Sequence, residues 1–352
     1  MSGKERAVGT KAGKHKNIPV FIPHLGCPNL CVFCNQRSIS GKQGFEIESV
    51  KDEIDKALLT IPADYEVEIA YFGGSFTGID RKLMIRLLDL AKAYVDRPID
   101  GRACVSGIRM STRPDYIDCE IMEMLSHYPV KTVELGLQSM DDRVLLRSKR
   151  GHSAERAEQA CKMIKDAGYG LVGQMMIGLP DSTLENELYT ARRICEMGAD
   201  AVRIYPTVTF YDTELACMAE RGEYTPIELE DAVLRSKEVL KVFEGNSVEC
   251  IRIGLCASDN LMDPEKVMGG ANHPALGELV LGELYYDKMC RLMEDFNKVQ
   301  GRTAVFSVPQ GDLSKAIGQN GRNKKRLVNK YLLNGVTVTE HADTDEITLN
   351  IK

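Results

Sequence analysis

The feature that most restricts this chain is an alternation. Short runs rich in β-branched residues recur at 18–22, 67–72, 104–110, 132–137, 171–177 and 201–205, with segments of helical periodicity between them. In those intervals apolar side chains fall three or four residues apart, as at Ile47, Val50, Ile54 and Leu58 and again at Leu83, Leu87 and Leu90, so each segment has one apolar face. Strands separated by a helix cannot pair through a tight hairpin; repeated units of this kind make a parallel sheet covered by helices. The fold class is therefore α/β, and six units predict a partial (β/α)6 barrel of the TIM type rather than a closed eight-stranded one.

A helix over 226–243 and a strand over 248–253 are expected to extend the barrel sheet. Near 297–301 the pattern resets, and 303–352 reads as strand, glycine loop, basic helix, strand and strand, a small α+β domain. The expected division is a flexible basic arm at 1–17, the barrel at 18–245, an extension with a covering loop at 246–297, and the small domain at 298–352. The arm carries Lys4, Arg6, Lys11, Lys14 and Lys16 with almost nothing apolar, so burial cannot offset its ordering entropy. It is either a solvated tail or a contact for a phosphate backbone.

With 352 residues, 43% of them hydrophobic, the chain can fill one large core and one small one. No run of about 18 uncharged apolar residues occurs, and the polar start has no apolar signal region. Neither a membrane nor export is expected, which places the chain in the cytoplasm. A formal charge of -6 excludes a uniformly basic nucleic-acid coat but not a local basic patch. In a reducing compartment the eleven cysteines read as thiols and metal ligands, not as a disulfide framework.

Three of those cysteines, Cys27, Cys31 and Cys34, lie in one loop directly after the first strand, at the carboxyl end of the sheet where barrel active sites are built. The spacing C-x3-C-x2-C lets a short loop supply three soft thiolates to a 4Fe-4S cluster and leaves the fourth iron without a cysteine. An open iron can chelate the amino and carboxylate groups of S-adenosylmethionine (SAM). The competing arrangement is a zinc site completed by His24 or a distant cysteine, although a structural zinc usually shows two ligand pairs. With Phe33 before the last cysteine, the loop resembles the signature of radical SAM enzymes. The resemblance implies a SAM-derived deoxyadenosyl radical and an electron donor such as reduced flavodoxin or ferredoxin.

Later strand ends add to the likeness. They are Gly73-Gly74-Ser75 after the second strand, Ser111 and Arg113 after the third, Glu134 to Gln138 and Ser139 on the fourth, then Arg150 and His152, Gln174 with Gly178 and Pro180, and Arg203 with Tyr205. Taken together, residues 18–243 resemble the radical SAM part of the Elongator catalytic subunit and, more distantly, oxygen-independent coproporphyrinogen III oxidase. The resemblance implies that Gly73, Gly74 and Ser75 meet the methionine end of SAM and that Gln138 and Arg150 hold its ribose and carboxylate. Ser111 and Arg113 would face the cofactor, and Gln174 stands where the oxidase has an aspartate. Tight-turn glycines and a Glu134–Arg150 ion pair are the structural alternatives. The cysteine spacing is shorter than the Elongator subunit's, and no acetyltransferase domain is expected within this chain, so acetyl transfer would need another protein.

Beyond the barrel, glycines and polar residues around Asn272, His273 and Glu278 suggest a loop over the site, with His273 or Glu278 for proton transfer. The alternative is an ordered packing loop leading into a helix near Pro274. Cys256 is either a radical-accepting or methyl-carrying thiol or a buried inert one. In the small domain, Gly318-Gln319-Asn320-Gly321 followed by Arg322, Lys324, Lys325 and Arg326 resembles the core of a KH domain. That implies a glycine loop against a nucleic-acid backbone and basic residues against phosphates. The expected function is a radical SAM enzyme that modifies RNA, tRNA first and ribosomal RNA second. A radical SAM enzyme for a small molecule such as a tetrapyrrole, and a metal-stabilised RNA-binding protein without chemistry, are the alternatives.

Overall fold

A computed structural model describes residues 14–22, 25–27, 31–34, 45–96, 101–256, 259–341 and 346–352. His24 and residues 1–13 of the expected arm lie outside the described residues. In chain order the elements are β1 (His15–Phe21), α1 (Ile47–Thr60), β2 (Glu66–Phe72), α2 (Arg81–Asp96), β3 (Cys104–Thr112), α3 (Cys119–Ser126), β4 (Val130–Gln138), α4 (Asp142–Arg147) and α5 (Ala154–Asp166). There follow β5 (Gly170–Ile177), α6 (Leu184–Glu196), β6 (Ala201–Pro206), β7 (Val208–Phe210), α7 (Glu214–Glu220), α8 (Leu229–Gly245) and β8 (Glu249–Ile253). The chain ends with α9 (Asp259–Met262), β9 (Val267–Gly270), α10 (Leu276–Glu294), β10 (Thr303–Pro309), α11 (Leu313–Ile317), α12 (Arg322–Tyr331), β11 (Gly335–His341) and β12 (Thr348–Ile351). The large sheet has the order β1-β2-β3-β4-β5-β6-β8, which is the expected six-strand series with the added strand at its end. The chain divides into two compact units.

The first unit comprises 1–29, 40–136 and 155–172. Its strands pair in parallel, His15 opposite Glu66 at the start of β1 and Ile108 opposite Val130 where β3 meets β4. Helix α1 buries Val50, Ile54 and Leu58, as their spacing required. Helix α2 buries Met84, Leu87, Leu88 and Ala91, so its stripe is rotated and Leu83 and Leu90 only flank it. Strand β1 starts three residues before the apolar run and draws 15–17 out of the expected arm. Polar residues can extend an edge strand because backbone pairing with β2 holds them, and Lys14 and His15 also reach Asp64 (2.9 Å) and Glu68 (3.2 Å). Glu68 is almost fully buried, and Arg109 (2.8 Å) and Thr132 (2.9 Å) donate to it. Arg109 also donates to buried Glu134 at 2.9 Å. Buried carboxylates need such partners, and Arg109 supplies the one that sequence reasoning sought in Arg150.

The second unit comprises 30–39, 137–154 and 173–352. Strand β8 runs parallel to β6, Ala201 opposite Glu249. Helix α6 opens with a reciprocal Thr183–Asn186 cap, and its buried Glu187 accepts from the Gly178 N–H (2.7 Å) and from Arg235 Nε on α8 (2.8 Å), fixing the turn after β5. Burial pushes the Glu187 carboxyl up, against the opposing pull of Arg235. Strands β7 and β9 form an antiparallel ribbon, which sequence reasoning missed because runs of three and four residues carry no periodicity.

The C-terminal sheet has the order β11-β10-β12, with β10 parallel to β11 and antiparallel to β12. Its core joins Phe306, Val308, Ala316, Leu327 and Val336 to Tyr285, Met289, Cys290 and Met293 of α10. That core therefore includes a helix that precedes the expected reset near 297–301. No described helix is long and apolar enough to cross a membrane.

Candidate active site

In the first unit, the loops after β1 and β2 interleave. Ser75 N–H donates to the Leu25 carbonyl (3.2 Å), and Cys27 Sγ lies 3.2 Å from Ser75 Oγ. A Cβ on Gly74 would collide with the Leu25 carbonyl oxygen, and one on Gly26 with that of Ser75. Gly73 sits at φ 95°, which only glycine adopts easily. Loop-to-loop approach thus requires glycine at 26 and 74. Gly26 escaped sequence reasoning although it stands directly before Cys27. Ser111 is half-buried near the end of β3, and buried Arg113 is gripped by both carboxylate oxygens of Asp115 at 2.9 and 2.8 Å.

In the second unit, Cys31 is buried, and Arg150, also buried, donates from Nη1 to Cys31 Sγ at 3.1 Å. The resemblance had assigned Arg150 to SAM; its position beside a thiol was not legible because 119 residues separate the two. The Val32 N–H donates to the Ser148 carbonyl (3.2 Å), and the Val32 carbonyl accepts from the Leu215 N–H (2.7 Å), so α4 and α7 hold this stretch from two sides. Cys34 N–H closes a turn onto the Cys31 carbonyl at 3.0 Å.

Gln138, at the carboxyl end of β4, has φ 67°, a left-handed conformation that costs a non-glycine residue about 1–3 kcal/mol. Its Oε1 is buried with no hydrogen-bond partner among the described residues, which costs a further ~1–3 kcal/mol. Gln138 thus combines a strained backbone with an unpartnered buried amide oxygen at the end of a strand. Gln174 lies partly exposed on β5.

Elsewhere in this unit, His273 Nδ1 accepts from the Ala275 N–H (3.1 Å) at the entry to α10, as the packing-loop alternative expected, while Glu278 is exposed on the first turn. Asn272 Oδ1 is buried without a partner among the described residues. Cys256 is exposed, which overturns the buried alternative for it. By contrast, burial pushes the thiols of Cys161, in the first unit, and Cys250, in the second, up to about 12 and about 11, which keeps them protonated and inert.

In the C-terminal segment, Gly318 and Gly321 both have positive φ. Arg326 donates to buried Glu283 at 2.5 Å and stacks on Tyr286, and Arg322 reaches Glu230 at 3.1 Å. Lys324 and Lys325 make no ion pair among the described residues.

The strand order and the cysteine loop define a class. Residues 21–194 match the radical SAM superfamily and 199–286 the radical SAM C-terminal domain, and the chain belongs to that superfamily. Within it, the chain is 31% identical over 301 residues to the tRNA uridine(34) acetyltransferase of Methanocaldococcus infernus, covering 75% of this chain and 55% of that protein. It is 34% identical over 139 residues to Elongator complex protein 3 of Schizosaccharomyces pombe, covering 38% of this chain and 25% of the other. The solved structure of the archaeal M. infernus Elp3 with an N-terminal deletion shares its fold, with a TM-score of 0.60 at 22% identity over 79% of this chain and 68% of that one. The chain spans between 41% and 66% of the length of the first curated relatives it matches.

Membership brings two cofactors, a 4Fe-4S cluster and SAM. The residues present suit both. Among the described residues no three His, Cys, Asp or Glu side chains are already gathered as a metal site. The fit rests instead on donor chemistry, three soft thiols in one short loop with a guanidinium on one of them, and on the orphaned Gln138 amide oxygen.

Proposed function

We propose that this chain is an RNA-modifying radical SAM enzyme in which Cys27, Cys31 and Cys34 hold the cluster and tRNA is the first substrate class, ribosomal RNA the second. The observation that carries the RNA reading is the 31% identity over 301 residues to a protein named for acting on tRNA uridine. When bound, the reduced cluster supplies the electron that splits SAM and yields an organic radical. Gln138 offers its amide oxygen to SAM, Ser75, Ser111 and Gln174 are further residues assigned to that cofactor, and Gly73 and Gly74 keep the second loop close to the first. Arg113, fixed by both carboxylate oxygens of Asp115, is a further residue assigned to face the cofactor. Because Nδ1 of His273 accepts a backbone N–H, Nε2 is the nitrogen left for proton transfer, with Glu278 beside it in sequence and Cys256 open to solvent.

RNA contact falls first to Lys324 and Lys325 on α12, with Gly318 and Gly321 shaping the preceding turn and Arg322 and Arg326 set back in ion pairs. Such an enzyme works in the cytoplasm with reduced flavodoxin or ferredoxin. The test is mass spectrometry of nucleosides from purified tRNA and rRNA of cells with and without the gene. One modified nucleoside should disappear without it. Identical profiles would transfer the assignment to a small-molecule substrate.

A further inference from the structure

We infer that Asn272 is a specificity-determining residue that meets the target base, its side-chain oxygen accepting an N–H of that base. The inference rests on the proposed RNA-modifying reading and adds a substrate contact to it. Its first support is placement within the second unit. Thr207, directly after β6, donates from both its N–H (2.9 Å) and its hydroxyl (2.7 Å) to the carbonyl of Ile177, the last residue of β5. The Thr207 carbonyl in turn accepts from the Ala271 N–H at 3.0 Å, and a Cβ on Gly270, at φ 103°, would stand 2.4 Å from that same oxygen. Strand β8 is joined in the same way: the Gly254 N–H just past it donates to the Ile204 carbonyl at 2.9 Å, and a Cβ on Gly254 would stand 3.2 Å from Leu276. Residues 270–276 are thus laid across the carboxyl ends of β5, β6 and β8, the end at which such barrels build their active sites. Gln138 and Gln174, assigned to SAM, belong to β4 and β5, whereas Asn272 comes from a segment beyond β8.

The second support is an acceptor that the local sequence deprives of donors. Asn272 Oδ1 is buried and has no hydrogen-bond partner among the described residues. In a turn, an asparagine oxygen ordinarily takes a backbone N–H shortly ahead of it, most often two residues on. Two residues on stands Pro274, which has no N–H. The Ala275 N–H goes instead to His273 Nδ1 at 3.1 Å, and the Leu276 N–H to the His273 carbonyl at 3.2 Å. The N–H groups of Asn272 and His273 are spent on the carbonyls of Gly270 (2.8 Å) and Ala271 (3.1 Å). These bonds also fix the backbone that carries the amide. A buried acceptor without a donor destabilises the chain, and an incoming N–H removes that cost on binding. The amide carries two donors on Nδ2 as well, so one asparagine can meet an N–H and a neighbouring acceptor on the edge of a base turned out of its stack. A site built on such a bond discriminates against a base that cannot make it.

The test compares the wild-type chain with Asn272→Leu and Asn272→Asp, each reconstituted anaerobically with iron and sulfide and supplied with SAM, dithionite and tRNA from cells that lack the gene. Melting temperature, SAM affinity by equilibrium dialysis and tRNA-dependent release of deoxyadenosine are read for each. Asn272→Leu replaces an unpartnered acceptor by an apolar group of similar volume, so it should melt no lower than wild type and bind SAM as tightly. Its tRNA-dependent release should fall about tenfold to a hundredfold. Asn272→Asp keeps an acceptor and should lose less. Melting several degrees lower in Asn272→Leu would show that the amide serves the turn. SAM affinity that falls in step with release would show that it serves the cofactor, and unchanged release that it meets no base. Each of these results would overturn the inference and leave the RNA reading standing. Wild-type release that does not respond to tRNA would overturn that reading, and the inference with it.

Discussion

Residues 31–34 and residues 318–321 are both short turns on which function is proposed to rest, yet they are held in opposite ways. The cysteine turn is fixed by groups distant in sequence: the Arg150 side chain, the Ser148 carbonyl and the Leu215 N–H. The glycine turn is held mainly by one neighbouring side chain. Asn323, five residues after Gly318, is buried and donates to the carbonyls of Lys315 (3.3 Å) and Ala316 (3.2 Å), and to that of Gly282 on α10 (2.7 Å). A site for redox chemistry needs side chains brought together from remote elements. A turn that offers its backbone to a ligand needs only the right dihedral angles and open space. The two glycines differ in this respect: a Cβ at 318 would press on Asn323 at 2.9 Å, whereas one at 321 would meet nothing within 4 Å.

The largest effect should come from the cysteine turn. Cys31→Ala is expected to reduce cluster-bound iron to background and to abolish SAM cleavage, read by iron analysis and by chromatography of deoxyadenosine; a variant that still carried a full cluster would remove Cys31 from the ligand set. In the glycine turn, Gly318→Ala should cost about 2–3 kcal/mol, since φ 73° with ψ 159° is a region that glycine alone occupies and the new methyl meets Asn323. Gly321→Ala should cost about 1 kcal/mol, for a left-handed residue in open space. Denaturation curves that rank the two in reverse would break the contrast. Gly321, rather than Gly318, is therefore the glycine on which to test RNA contact.

A smaller effect separates the basic residues of α12. Lys324→Ala with Lys325→Ala should leave melting unchanged and reduce the salt slope of RNA binding by about 1–2, one phosphate contact per lysine. Arg326→Ala should chiefly lower stability, because it strips buried Glu283 of its 2.5 Å partner. Binding that responds equally to all three would make the arginines part of the RNA surface.

The smallest effect concerns α10, which carries Glu283. Burial alone would raise the Asp287 carboxyl, but Lys237 and Lys241 of α8, at 2.8 and 2.7 Å, outweigh it and hold it below the ordinary carboxylate value. A carboxyl whose folded pKa is lowered adds stability above its unfolded pKa, and that stability is lost as pH falls through the folded one. Below about pH 4 the melting temperature of wild type should therefore fall more steeply than that of Asp287→Asn. Parallel curves would show that the cluster on α8 and α10 does not depend on this charge.

Much of the architecture was legible because period-two and period-three-to-four patterns report burial directly. Six strand positions, the added β8 and the apolar face of α1 follow from them. Strand β1 overran its apolar run because edge pairing needs only backbone, and the ribbon of β7 and β9 was too short to show a period. The three cysteines were picked out by their spacing, on which their proposed chemistry rests. Arg150 was named through the resemblance, for SAM, but its contact with Cys31 could not be read, since that is a property of the folded chain. Glu283 was equally hidden: nothing in its neighbourhood announces that it holds Arg326 away from solvent charges.

The most direct test of an RNA-modifying radical enzyme is to count deoxyadenosine released by the reconstituted protein with SAM and dithionite, with and without tRNA that lacks the modification. Release that rises several-fold with this RNA, and not with tRNA from cells carrying the gene, is the predicted result. SAM cleavage at the same rate with either tRNA, with ribosomal RNA and with none would contradict it.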